Sequence, residues 1–155
     1  MAPAPSTTET TTALEIRRTF NAARPRVFAA WTSAEALTRW HAPENAEVQE
    51  ADVDFRVGGK WHVIMRGYDG NIHHVAGVYR EIDEPRRIVL TWRWLSQHDS
   101  RESTVTVEFF ERGSATEVVL THDGLVSEQD RAGHHHGWVG CFDKLGAIFG
   151  SVKAS

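Results

Sequence analysis

The sequence predicts an α+β fold, a curved antiparallel sheet wrapped around one long C-terminal helix with two short helices after the first strand. Three observations carry this expectation. Large apolar residues recur at Trp138, Cys141, Phe142, Leu145, Ile148 and Phe149, the three-and-four spacing of one helix face. Alternation with a period of two runs from Ala46 to His122, punctuated by Gly58-Gly59, Asp69-Gly70, Glu84-Pro85 and Gly113-Ser114. Between a first alternating run and that meander lie two helix-start signals.

Taken in order, residues 1–13 are rich in Pro, Ser and Thr and are expected to form a disordered tail. They lack the basic start and apolar run of a secretory signal. Residues 14–20 alternate as a strand whose apolar side carries Arg18. Pro25 opens a short helix to Trp31, because a first-turn N–H has no helical partner. Thr32 with Glu35 has capping-box spacing and starts a second short helix, which runs to about Trp40 before Pro43 ends it. Strands are expected at 46–55, 60–66, 72–82, 88–94, 103–111 and 116–122. Acceptors at Ser127 to Asp130 and the stop at Gly150 bound the long helix, roughly 30–35 Å of it. The result is a single domain over 14–150, with residues 151–155 as a C-terminal tail.

If Asp69-Gly70 makes a two-residue turn, Trp61 faces Val78, Val63 faces Ala76 and Met65 faces His74, all on one side of the sheet. That side then collects Trp92 and Trp94, Val105 to Phe109 at alternate positions, and Leu120 with His122. Lys60, His62, Arg66, Arg93 and Glu108 fall on the other. One dry and one wet face suit a sheet covered on one side. One extra residue in the turn would send His74 to solvent and bring His73 inside.

A chain of 155 residues is the size of one domain with a real core. A net charge of −4 argues against a nucleic-acid grip or an anionic-membrane patch, and no segment approaches a membrane span. Cys141 stands alone, so no intramolecular disulfide forms, and a reducing, cytoplasmic setting is expected.

The residues themselves resemble a family. The runs Arg18-Thr19-Phe20 and Arg26-Val27-Phe28-Ala29-Ala30-Trp31-Thr32, then Leu37, Trp40 and Pro43, are similar to the opening of the activator-of-heat-shock-ATPase-homologue family. Asp54 to Trp61 (DFRVGGKW), Gly77 to Pro85 (GVYREIDEP), Leu120 to Leu125 (LTHDGL) and His134 with Gly137-Trp138 complete the likeness, which covers residues 14–149. His135 and His136 beside His134 depart from it. The resemblance implies the START-like (SRPBCC) helix-grip fold, a sheet gripping the long helix with a cavity between them. Members include lipid carriers, hormone receptors, aromatic cyclases and co-chaperone domains, the last bringing a stress-response setting. Function must therefore come from the cavity.

Six tryptophans in so small a domain either fill the core or frame a space for a hydrophobic or aromatic ligand. The ligand reading names Trp40, Trp61, Met65, His74, Trp92, His122, His134, Trp138 and Phe142 as the lining. Arg18 on the dry face must meet a carboxylate, backbone carbonyls or an anionic part of a ligand. His122 and His134 approach one cavity mouth. They are structural histidines or, in a cyclase or dehydratase, a general base assisted by Asp54 or Glu108. No metal site is expected, because three successive helical histidines point about 100° apart and cannot converge. No cofactor is expected, since the chain lacks a glycine-rich phosphate loop. A third reading is a co-chaperone-like module that docks a protein on an outer patch of Ile64, Val75 and Tyr79. The expected partners are a small hydrophobic molecule first, then a protein or a second copy in a homodimer, with neither nucleic acid nor membrane.

Overall fold

The computed structural model describes residues 12–97 and 101–150. One seven-stranded sheet organises them, in the order β1-β7-β6-β5-β4-β3-β2 with every neighbour antiparallel. The strands are β1 (Thr12–Phe20), β2 (Ala46–Val53), β3 (Lys60–Gly67), β4 (Ile72–Asp83), β5 (Arg87–Trp94), β6 (Ser103–Arg112) and β7 (Ala115–Leu125). Helices α1 (Arg24–Ala29) and α2 (Ala34–Leu37) follow β1, and α3 (Glu128–Phe149) closes the chain against the concave side of the curled sheet. This is the expected helix-grip architecture. Thr12 and Ala13, assigned to the tail from sequence, belong to β1, and the remaining tail positions lie outside the described residues.

Local chemistry explains where the elements start. Pro25 sits in the first turn of α1. The N-cap of α2 is Ser33 rather than Thr32. The Ser33 hydroxyl accepts from the Ala36 N–H at 3.2 Å, while Thr32 donates back to the Ala29 carbonyl at 3.0 Å. At α3, Ser127 Oγ accepts from the Asp130 N–H at 3.0 Å and Asp130 Oδ2 accepts from the Val126 N–H at 3.1 Å, a reciprocal cap.

The β3–β4 hairpin has the longer of the two turns considered. Its loop is Tyr68-Asp69-Gly70, closed by hydrogen bonds from Gly70 N to Gly67 O and from Gly67 N to Asn71 O, with Gly70 at φ +89°. Asp69 Oδ1 accepts from the Asn71 N–H at 2.9 Å and fixes the turn. Trp61 therefore pairs with Gly77, Val63 with Val75 and Met65 with His73. The slip exchanges the faces of β4. Val75 and Tyr79, expected outside, are core residues, and His74 faces away from the core. At Gly77 only a glycine fits. A Cβ there would lie 1.9 Å from the Thr91 carbonyl oxygen and 2.7 Å from Trp61 Nε1.

The second half of α3 supplies the core with Trp138, Cys141, Phe142 and Leu145. Phe142 meets Phe20 and Trp31 at ring separations of 5.9 and 6.3 Å. Gly140 lets the helix backbone touch the loop after α2, where a Cβ would stand 2.6 Å from Glu44 N. One turn on, Lys144 Nζ clamps the same loop by donating to the carbonyls of Pro43 (2.9 Å) and Ala46 (2.8 Å). Arg18 finds its partner within the chain, Asp143 at 2.6 Å, with its guanidinium over the Phe142 ring.

Candidate functional site

The first half of α3 behaves differently from the second. None of its residues before Trp138 is fully buried, and the helix makes its closest approach to β1 and β7, away from β3 and β4. A cleft of about 580 Å³ opens on that side. His41, Met65, Trp92 and Trp138, each nearly inaccessible, form its floor. Trp94, His134 and His73 stand above them, and Asn45, Asp69, Gln97, Gln129 and Asp130 edge the mouth. Gly133 and Gly137 also line it, and a Cβ at either would meet nothing within 4 Å.

Of the residues read from sequence as ligand lining, Met65, Trp92, His134 and Trp138 border this cleft. Four others sit in packed layers behind it. Trp40 is buried against Trp31 at 4.3 Å, with its indole N–H donating to the Ala30 carbonyl at 2.9 Å. Phe142 is fully enclosed, and Trp61 lies behind Trp92 at 5.6 Å. Where Trp31, Trp61 and Trp138 approach one another a void of only about 20 Å³ is found, so large rings interlock there instead of framing a cavity. His122 is the fourth, one layer beneath the floor. His74 is on the opposite face of the sheet, in a depression of mixed polar and apolar lining that it shares with His62, because of the hairpin slip.

The two histidines expected at the mouth are in contact, with ring centroids 4.9 Å apart, but each is tied on both sides. Trp138 Nε1–H donates to His122 Nδ1 at 3.0 Å, which leaves the proton on Nε2 to reach Ser103 Oγ at 2.8 Å. Ser103 in turn donates to the Trp92 carbonyl at 3.3 Å. Trp94 Nε1–H donates to His134 Nε2 at 3.0 Å, so His134 Nδ1 carries the proton directed at the Asp130 carbonyl at 2.8 Å, with Asp130 Oδ1 beside it at 3.2 Å. Neither ring offers a free lone pair to the cleft. Burial, with a smaller contribution from the nearby His134, pushes His122 down to about 3, so it is neutral at physiological pH. The suggested assistants are elsewhere: Asp54 pairs with Arg56 and Glu108 with Arg87.

His41 was not singled out from the sequence. It follows the last turn after α2, its N–H donating to the Leu37 carbonyl at 2.9 Å, and its ring is enclosed by Trp40, Trp61, Trp92 and Trp138. Burial lowers it to about 4. Its Nδ1 and the Trp92 Nε1 are buried without a hydrogen-bond partner among the described residues, a condition that costs free energy unless something fills it. The only signal was the Trp40-His41-Ala42-Pro43 run, and a loop has no periodicity from which to read a direction.

The HHH run splays as helical geometry requires. His134 borders the cleft, and His136 lies 3.6 Å from Glu44. No group of three or more metal-ligating side chains is gathered among the described residues. No described helix is long and apolar enough to cross a membrane.

Comparison with known proteins agrees with this architecture. The family model described as Activator of Hsp90 ATPase homolog 1-like protein matches residues 21–150. The human activator of 90 kDa heat shock protein ATPase homolog 1 is 26% identical over 146 residues, which is 88% of this chain but 38% of that protein. The chain thus spans well under half of that relative. Among solved structures, the AHSA1 protein from Silicibacter pomeroyi superposes with a TM-score of 0.78 at 28% identity, covering 88% of this chain and 96% of the other. A protein from Chromobacterium violaceum does so with a TM-score of 0.80 at 22% identity, covering 89% and 96%, and speaks for the fold alone.

Proposed function

Since the chain belongs to the Activator of Hsp90 ATPase homolog 1-like family, whose START-like fold suits binding of a ligand or a protein, we propose that it binds a small aromatic molecule between the first half of α3 and strands β3–β5. One observation carries this reading. The helix presents Gly133 and Gly137 to open space opposite Trp92 and Trp94. Glycine inside a helix costs about 1 kcal/mol relative to alanine, and here no neighbour's approach requires it. The glycines widen a cleft whose walls are indoles, the surfaces best suited to stacking on flat rings.

Binding without chemistry is preferred to the cyclase or dehydratase reading, because a general base needs a lone pair and both candidate imidazoles have theirs engaged. A co-chaperone-like docking role, suggested by the name of the human relative, would draw on an apolar outer patch, and two of the three residues expected in it, Val75 and Tyr79, are buried.

The test is a tryptophan-fluorescence titration with neutral polycyclic aromatics, sterols and fatty acids, on the wild-type chain and on Gly137→Leu. Saturable changes with aromatics, lost in a Gly137→Leu variant that still melts cooperatively, are expected. Equal binding by the filled variant, or no response to any class, would overturn the reading.

A further inference from the structure

The charges around the cleft are one-sided. Asp69 and Asp130 stand at its mouth, and no lysine or arginine lines it among the described residues. The start of α3 would ordinarily attract an anion, but here its cap is already satisfied. Ser127 Oγ takes the Asp130 N–H, Asp130 Oδ2 takes the Val126 N–H, and Glu128 and Asp130 put negative charge in the first turn. The deep histidine is no substitute for a cation. His41 is buried among indoles, where burial lowers it to about 4, and it stays neutral at pH 7. A carboxylate or sulfate entering this cleft would lose its water, and the nearest amine, Lys144 Nζ, is already committed to the carbonyls of Pro43 and Ala46. An ammonium would meet indole faces and two carboxylates.

We propose that the cleft selects a flat aromatic molecule bearing a protonated amine, and discriminates against anionic amphiphiles of the fatty-acid kind. This rests on the binding function proposed above and specifies its ligand class. The ring lies against Trp92 and Trp138. The amine remains at the mouth near Asp69 and Asp130, where it keeps part of its hydration.

Three naphthalene probes of nearly one shape separate charge from fit: naphthylmethylamine, naphthalenemethanol and naphthoic acid, titrated calorimetrically at pH 7. The amine should bind tightest and the acid weaker than the amine by about tenfold or more. Asp69→Asn and Asp130→Asn remove the charge at the mouth, each at the loss of one acceptor, for the Asn71 side chain and for His134 Nδ1 respectively. They should weaken the amine more than the alcohol, so that the amine's advantage over the alcohol shrinks, and an amine-to-alcohol affinity ratio unchanged in both variants would overturn the selectivity. If the alcohol binds but the acid equals or exceeds the amine, the selectivity is wrong and the binding site survives. If none of the three binds, the site itself fails and the selectivity with it.

Discussion

Trp138 and His122 are joined by a 3.0 Å hydrogen bond from the indole N–H to Nδ1, at a point where α3 crosses the end of β7 and both residues are buried. The bond turns a histidine that reads from sequence as a candidate base into a structural acceptor. It also fixes the ring that forms one side of the cleft floor. Replacing His122 by Phe keeps a planar ring, somewhat larger, but strands the Trp138 donor, which should cost roughly 1–3 kcal/mol or more in denaturant unfolding. Trp138→Phe in the same chain removes the stranded donor. The double variant should therefore be less unstable than the sum of the two singles, and strict additivity would show that the pair is not coupled.

Acid should destabilise the protein through His41 and His122. Burial holds their folded values at about 4 and about 3, below the ordinary histidine value near 6.5, so the unfolded chain binds more protons in between. The stability they support is fully present above pH ~6.5 and falls as pH drops from there toward about 4 for His41 and about 3 for His122, with each histidine contributing up to about 1.4 kcal/mol per pH unit. His41→Phe should reduce the slope of unfolding free energy against pH by about one proton in that window. An unchanged slope would mean that His41 is already charged or exposed.

Cys141 lies in the floor layer, where burial pushes its thiol up to about 12. The thiolate, the form that reacts, is then scarce at pH 8. A small alkyl thiosulfonate should label the native chain very slowly and the urea-unfolded chain at the rate of a free thiol. Rapid native labelling would contradict the burial.

Gly77→Ala should destabilise by about 1–3 kcal/mol or more, the cost of forcing extra volume into a filled site. The added methyl collides with the backbone of β5 at Thr91, which cannot swing aside as a side chain can. A thermal melt unchanged from the wild type would mean that the two strands separate more easily than their packing implies.

Much of this architecture is legible in the chain because long-range rules govern it. The spacing of Trp138, Phe142 and Leu145 fixes the buried face of α3, and the alternation through Trp92, Val105, Val107 and Leu120 fixes the dry face of β5–β7. The parity of β4 was not legible. Asp69-Gly70 serves equally as a two-residue turn or as the end of a three-residue loop, and one residue of difference exchanges His73 with His74 and turns Val75 and Tyr79 inward. Nor could sequence divide the aromatic set. Trp40, Trp61 and Phe142 pack against rings from other elements, while Trp92 and Trp138 border open space, a distinction created by where α3 departs from the sheet. The pair Gly133 and Gly137, four apart on the helix, was the available sign of that departure.

The most direct measurement is a two-dimensional NMR titration of the six tryptophan indole N–H signals with naphthalenemethanol. The account predicts saturable shifts of Trp92, Trp94 and Trp138 at one common affinity, while Trp31 and Trp40, locked in the packed layer, stay in place. Shifts confined to Trp31 and Trp40, or six signals indifferent to the ligand at saturation, would contradict it.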